Sequence, residues 1–297
     1  MNLKPLNPLF IGFGKQAEEY AKVLAKNKIK IYGACVTNLF RRKKVFDKYK
    51  INNRFNNLNT ALASKGYNSI FIFLPFNIIE KKIFKILKMS NVPIYSEKPI
   101  ALSYKKINQI EQFVKKYKKK LYILYNRNHY KIFNIINNYT KKDNFILKAY
   151  IPEQITKTIN KIDRNLKGNI RYHLTSHWLN FFFSIKKINK IKFVFKENNF
   201  FFFNKTNEIL ISLDGKGFIS AILQSKNYIL FLLTLEQLFI FKIKKKKVKF
   251  HKYYNESLDN KFKPGVENLI KFIKKNRFKS NISNIKILYK SLEKLNY

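Results

Sequence analysis

The chain has 297 residues, 46% of them hydrophobic and spread along its whole length, which excludes disorder and suffices for one large domain or two ordinary ones. Its single cysteine, Cys35, excludes an intrachain disulfide and gives no sign of an oxidising compartment. The formal net charge of +44 would suit a nucleic-acid surface, but of the 61 basic residues 54 are Lys and 7 are Arg, and Arg is the residue that reads bases and clamps phosphates. The Lys excess comes with abundant Phe, Tyr, Ile and Asn, all with A/T-rich codons. Compositional bias therefore accounts for the charge, and no specific nucleic-acid partner is expected, only non-specific attraction of polyanions.

Leu9 to Gly12 is a short apolar run ending in glycine, and Ala17, Tyr20, Ala21, Leu24 and Ala25 behind it share a helix face. Ile29–Cys35 reads as the next strand and Arg41–Tyr49 as a short helix. Ser69–Pro75 is a nearly continuous apolar strand, as in a parallel sheet covered on both faces. Ile78–Met89 reads as a helix, Val92–Ser96 as a strand, Tyr104–Tyr117 as a helix and Leu121–Tyr125 as a strand. Past that point the pattern changes. Phe145–Ile151 is a strand, and a polar stretch to Gly168 leads to a helix carrying His173 and His177. From Lys192 to about Tyr254, strands alternate with polar turns at Asn198-Asn199, Asn204–Asn207, Asp214-Gly215 and Lys244–Lys247, the pattern of an antiparallel meander. A last helix after Pro264-Gly265 runs through Leu269, Ile270 and Ile273. The expected fold class is α/β. An N-terminal Rossmann doubly wound parallel sheet over residues 1–125 precedes an α+β domain over 126–297 with a large, mostly antiparallel open sheet. The N-terminus lacks a signal-peptide pattern. The longest apolar run, Tyr228–Phe241, is broken by Glu236 and Gln237 and is too short to span a bilayer. The chain reads as cytoplasmic, with no membrane partner.

Gly12-Phe13-Gly14-Lys15-Gln16-Ala17 closes the first strand and opens the first helix. Those residue types suit a dinucleotide. The first glycine makes the turn, the second lets a pyrophosphate approach backbone, and a small residue at Ala17 allows close helix–strand packing. An acid that would bind the adenosine ribose is missing, since Asp47 is the only one between Lys30 and Arg54 and it lies in the following helix. The second strand ends instead in Thr37-Asn38, with Arg41 and Arg42 just beyond. A hydroxyl, an amide and a guanidinium can hold a 2′-phosphate, so the cofactor expected is NAD or NADP, leaning to NADP. His173 and His177 stand four apart on one helix face, a spacing that could hold a metal. No carboxylate or cysteine nearby in sequence completes such a site, and no metal is expected.

Ser96-Glu97-Lys98-Pro99-Ile100 ends a strand about 80 residues after the glycine turn, and Glu-Lys-Pro in that setting resembles the signature of the Gfo/Idh/MocA oxidoreductases. Leu74-Pro75-Phe76-Asn77 resembles that family's turn over the cofactor, and Tyr125-Asn126-Arg127 its segment after the next strand. Ser176-His177-Trp178-Leu179-Asn180 resembles its helix with a catalytic histidine, and Val266 to Ile273 its terminal helix, which packs back on the first domain. The resemblance spans nearly the whole chain. It implies a nicotinamide-dependent enzyme acting on a secondary alcohol or ketone of a sugar, sugar nucleotide or cyclitol, assembled as a homodimer or homotetramer. It further implies that Gly12, Phe13, Gly14, Lys15, Gln16, Thr37, Asn38, Arg41, Leu74, Pro75, Asn77, Glu97 and Lys98 face the cofactor. Lys98 would donate to the reacting oxygen and exchange its proton, with Glu97 and Pro99 aiming it. His177 would be the second proton-transfer group, and Lys98, Arg127 and His177 would contact substrate; His173, on the same helix face, is a further candidate catalytic residue that would hydrogen-bond His177 or the substrate. There is a departure: where much of the family has an aspartate four residues before the catalytic histidine, this chain has His173, and the glycine-rich lead-in is reduced to Gly168-Asn169-Ile170. A catalytically degenerate nucleotide-binding protein of the same fold is the competing expectation.

Overall fold

A computed structural model describes residues 5–153, 172, 175–185, 192–196, 199–213, 215–256, 262–275 and 280–293. The chain forms two compact units, one from Met1–Asn126 with Val266–Lys290 and one from Arg127–Gly265 with Ser291–Tyr297.

In the first unit strand and helix alternate: β1 (Pro8–Ile11), α1 (Lys15–Lys26), β2 (Gly33–Cys35), α2 (Lys43–Lys48), β3 (Asn53–Phe55), α3 (Leu58–Ala63), β4 (Ser69–Ile72), α4 (Phe76–Met89), β5 (Ile94–Glu97), α5 (Tyr104–Lys116) and β6 (Leu121–Leu124). The six strands are parallel throughout, in the order β3-β2-β1-β4-β5-β6. Every residue of β1 and β4 is buried, as a parallel sheet covered on both faces requires. The strand order reverses between β1 and β4, which opens a crevice at the carboxyl ends of the strands, the place where doubly wound sheets bind ligands.

The second strand is shorter than its apolar pattern suggests. Lys28 takes a left-handed φ of 54°, and the Ile29 N–H turns back to the Leu24 carbonyl, so Ile29 and Ile31 belong to the connection leaving α1. β3 and α3 leave no periodic signal because one is three residues long and the other six. What starts α3 is Asn57, whose side chain accepts from the N–H groups of Asn59 and Thr60. The unit is completed by α8 (Val266–Lys274), whose Glu267 pairs with Lys26 of α1 at 3.2 Å, and by α9 (Ile282–Leu292). Just before α9, Asn281 donates from its amide to the Ile123 carbonyl and accepts from the Ile123 N–H. One side chain thus acts as a strand partner and blunts the exposed edge of β6.

The second unit holds α6 (Lys131–Thr140), β7 (Ile146–Glu153), α7 (Thr175–Ile185) and β8 (Lys192–Lys196). There follow β9 (Asn199–Phe203), β10 (Asn207–Leu213), β11 (Ser220–Gln224), β12 (Tyr228–Leu233), β13 (Gln237–Lys244) and β14 (Lys247–Asn255). Its eight strands run β14-β13-β12-β11-β7-β10-β9-β8. This corrects the expected simple meander: β7 is inserted between β10 and β11 and pairs parallel with β10, while all other pairs are antiparallel. The alternation in β7 explains its central place, with Leu147, Ala149, Ile151 and Glu153 turned inward. On the other face Ile146, Val194, Phe201 and Ile222 are exposed. α6 and α7 meet through Phe133 and Phe181, and α6 touches β12 through Tyr139 and Tyr228. The lysine run makes a two-residue hairpin turn, with Lys245 and Lys246 at φ 48° and 60°. A second turn, Thr234-Leu235 at φ 57° and 67°, divides the apolar run Tyr228–Phe241 into β12 and β13. Among the described residues no helix is long and apolar enough to cross a membrane.

Candidate functional site

The first unit brings four sequence motifs to one edge of its sheet, because all six strands point the same way. At the end of β1 the two glycines do different work. Gly12 has φ +86°, its N–H donates to the Cys35 carbonyl at 2.8 Å, and a Cβ there would lie 2.7 Å from the Phe73 carbonyl oxygen. Only glycine fits that position. Gly14 is the residue before α1 and has an ordinary φ of −92°; a Cβ would meet nothing within 4 Å among the described residues. The fold thus does not need glycine at 14, and its absent side chain leaves an approach to the uncapped amides of α1. That is a cradle of the kind a pyrophosphate fills. Phe13 buries its ring against Phe10 and Phe46, so only its backbone faces the turn. Ala17 is fully buried against the sheet, and Lys15 is exposed.

Beyond β2, Thr37, Asn38 and Arg41 are exposed. Asn38 accepts the Arg41 N–H at 2.9 Å and so shapes the one-turn helix Phe40–Arg42. Arg42 faces Glu18 of α1 at 3.9 Å. The lone acid of this stretch, Asp47, is bound by Arg54 at 2.5 Å. After β4, Leu74 and Asn77 are half-buried and Pro75 precedes α4; that helix starts at Phe76, two residues earlier than its apolar spacing indicates.

β5 ends in Glu97, which accepts a hydrogen bond from the Gln16 amide at 3.0 Å. Beneath it, burial pushes the Tyr20 phenol well above its usual pKa, with the Glu97 carboxylate adding to the effect. Lys98 follows, half-buried, and the Lys98–Pro99 peptide is cis. The chain beyond is held at two points: the Tyr289 hydroxyl donates to the Ala101 carbonyl at 3.0 Å, and Glu80 accepts the Leu102 N–H at 2.9 Å.

In the second unit, half-buried His177 lies on α7, its ring 6.0 Å from that of Trp178. The Arg127 guanidinium lies over the Trp178 indole, 3.1 Å from the ring centre. Arg127 is deep enough that burial lowers its pKa to about 10, against the opposing influence of Tyr130, Glu236 and Glu153; it stays charged at neutral pH. Tyr130 donates to Glu236 at 3.4 Å, and the Thr175 hydroxyl to Glu153 at 2.8 Å. Burial raises the Glu236 carboxyl while Arg127 pulls it back. Glu256 caps α6, accepting from the N–H groups of Lys131 and Ile132. His173 lies outside the described residues.

Glu153 and Glu236 do not stand out in the sequence, although a signal exists. With 17 acids in 297 residues, a Glu on the inward parity of an apolar strand, as Glu153 is on β7, marks a buried charge that needs a partner.

Residues 6–125 match the family Gfo/Idh/MocA, described as an oxidoreductase family with an NAD-binding Rossmann fold. No curated protein matches the sequence. Among solved structures, a dehydrogenase from Chromobacterium violaceum is similar with a TM-score of 0.81 at 12% identity, over 99% of this chain and 95% of its own. UDP-N-acetylglucosamine 3-dehydrogenase from Acidithiobacillus ferrooxidans gives 0.76 at 12% identity, over 98% and 96% of the two chains. An oxidoreductase from Agrobacterium radiobacter, solved with NAD+, L-tartaric acid and magnesium, gives 0.76 at 10%, over 98% and 95%. At such identities these structures share a fold with the chain. The match over residues 6–125, together with the glycine turn and the parallel sheet, identifies the first unit as similar to the NAD-binding Rossmann fold of the Gfo/Idh/MocA oxidoreductases.

Proposed function

We propose that the chain is an NAD(P)-dependent dehydrogenase or reductase acting on a CH–OH group of a sugar, sugar nucleotide or cyclitol. The observation that carries the reading is Gly14: the fold leaves space for a side chain there, and the sequence leaves it out beside an open helix N-terminus. When bound, the nicotinamide supplies or accepts the hydride. The residues do the rest. Gly12 to Gln16 hold the pyrophosphate with backbone amides. Leu74, Pro75 and Asn77 line the turn beside it, and Thr37, Asn38 and Arg41 meet the adenosine ribose. With no acid at that position and three exposed donors, these last residues favour a 2′-phosphate, hence NADP. Lys98 donates to the reacting oxygen and exchanges its proton, and Glu97 fixes the backbone that carries it. His177 is the second proton-handling group, assisted by His173. The Nη1 of Arg127, which has no hydrogen-bond partner among the described residues, donates to substrate. The UDP-N-acetylglucosamine 3-dehydrogenase among the similar structures supports a sugar-nucleotide substrate.

The open face of the eight-stranded sheet, with Val194, Phe201 and Ile222 exposed, supports a homodimer or homotetramer built on that face. The enzymatic reading is tested by titrating NADH and NADPH fluorometrically against the native protein and Gly14→Val at moderate salt. The expected result is binding to the native protein, with NADPH tighter, and none to the variant. Failure of both cofactors to bind at high micromolar concentration ends the reading. Oxidation of sugars and sugar nucleotides, absent in Lys98→Ala, then tests the chemistry. Cofactor binding with no turnover of any of them favours the catalytically degenerate alternative.

A further inference from the structure

Three features of the second unit stand together. Arg127 is a half-buried cation placed over an indole, its guanidinium carbon 3.1 Å from the ring centre. Its charge is answered by carboxylates from two other elements, Glu153 at the end of β7 and Glu236 beside the β12–β13 turn. The indole belongs to Trp178, the neighbour in sequence of His177.

A planar guanidinium over an indole face gains both cation–π attraction and stacking contact, and neither a lysine nor an aliphatic chain supplies both. The turn holding Glu236 is anchored by backbone: the Thr234 N–H donates to the Ile219 carbonyl at 2.8 Å, and the Glu256 N–H to the Glu236 carbonyl at 2.7 Å. Arg127 therefore connects an anchored turn to one face of α7. Other polar ties of α7 include Thr175 to Glu153, and the Ser176 and Ser184 hydroxyls to backbone one helical turn earlier. A side chain that clamps Trp178 also restricts the residue beside it.

We propose that Arg127 is a positioning residue: its stack on Trp178 sets the orientation of α7 and, through it, of His177. This goes beyond substrate contact and rests on the reading of His177 as a proton-handling group. Tyr130, Glu153 and Glu236 are the titratable groups that act on Arg127. A change in the placement of α7 moves the His177 imidazole relative to its surroundings and so shifts its titration.

Trp178 is the only tryptophan of the chain, so intrinsic fluorescence reads the stack directly and needs no turnover. Arg127→Lys keeps the charge and loses the plane; Arg127→Gln keeps a plane and loses the charge. Acrylamide quenching of Trp178 is expected to rise about twofold in the lysine variant and to return towards the native value in the glutamine variant. The His177 imidazole, followed by NMR and assigned with His177→Gln, is expected to shift its pKa by roughly half a unit in Arg127→Lys. NADPH binding is expected to be unchanged, which shows that the first unit is intact. In an active enzyme the pH profile of kcat shifts in the same variant, while KM for the cofactor does not. Native quenching and an unmoved His177 pKa in Arg127→Lys overturn the proposal, and so does a glutamine variant quenched as strongly as the lysine one. Should Arg127→Lys fail to fold, Trp178→Leu read through the His177 titration carries the same test. Neither readout requires catalysis, so a protein with no dehydrogenase activity still reveals whether Arg127 positions α7.

Discussion

Gln16 and Glu97 are 81 positions apart, yet the Gln16 amide donates to the Glu97 carboxylate at 3.0 Å. The bond ties the first turn of α1, where the glycine turn delivers the chain, to the end of β5, where Lys98 follows. Gln16→Leu removes the donor from a charged acceptor and is expected to cost about 1.5–3 kcal/mol in urea unfolding. Gln16→Glu sets a second carboxylate against Glu97. It should cost more at pH 7 than at pH 4, where one of the two carries a proton. Equal losses at both pH values would show that the bond does not depend on charge.

The two glycines separate structure from binding. Gly12→Ala places a methyl group 2.7 Å from the Phe73 carbonyl oxygen at a positive φ, and about 1–3 kcal/mol of stability or more should be lost. Gly14→Val has open space for its first side-chain carbon, so its thermal midpoint should match that of the native protein while cofactor binding disappears. Calorimetry on both variants checks the contrast. A Gly14→Val protein that melts early would make Gly14 a structural glycine as well.

Glu111 of α5 is 2% exposed and sits between Lys286 of α9 at 2.6 Å and Lys115 at 2.8 Å, with the Ser283 hydroxyl at 2.7 Å. Burial alone would raise its pKa. Lys115, Lys286 and Ser283 outweigh it and hold the carboxyl at about 2. The folded pKa is below the unfolded one, so the stabilisation is complete above pH 4.5 and is lost as pH falls from there to about 2. Glu111→Gln should cost roughly 2 kcal/mol at pH 7 and flatten the acid limb of the stability curve. An unchanged acid limb in the variant would show that Glu111 does not drive acid unfolding.

His129 titrates at higher pH than Glu111. Burial lowers its pKa from 6.5 to about 4, so it remains neutral in the fold while the unfolded chain takes up a proton. Its contribution is complete above pH 6.5 and lost as pH falls towards 4, at most ~3 kcal/mol over that range. Replacing His129 by Gln should remove its share of the slope between those limits, leaving a shallower loss of stability than in the native protein. Chemical denaturation at half-unit pH steps measures both slopes.

The open face of the second unit gives a prediction about assembly. Phe201→Asp or Ile222→Asp places a charge among side chains exposed on that face. If the face joins two copies, light scattering should find a dimer or larger species for the native protein and a monomer for the variants. Identical masses would put the interface elsewhere.

Much of the first unit is legible in the sequence because its signals are local. An apolar run such as Ser69–Pro75 needs cover on both faces wherever it lies. A glycine turn between a strand and a helix serves the same purpose whatever surrounds it. Short elements are not legible: β3 offers three residues and α3 six, too few for a period, and Asn57 is recognisable as a cap only once α3 is seen. The helix Lys131–Thr140 is a different case: it buries Ile132, Phe133 and Ile136 at helical spacing, yet its polar Asn134, Asn137 and Asn138 blur that period in the sequence. The turn at Thr234-Leu235 is invisible because threonine and leucine carry no mark of a positive φ. Only pairing of β12 with β13 imposes it.

The sequence by itself determined the parallel alternation of the first unit, the glycine turn, the missing acid after β2 and the Glu97-Lys98-Pro99 segment, since each depends on neighbours within a few residues. The tertiary structure alone decided where β7 enters the second sheet, that Gln16 reaches Glu97, that Asn281 closes the edge of β6, and that Arg127 lies on Trp178 with Glu153 and Glu236 answering its charge. These are contacts across tens to more than a hundred residues. No local periodicity encodes them, because the partner of a buried polar group is selected by which strands and helices the whole fold brings within hydrogen-bonding reach.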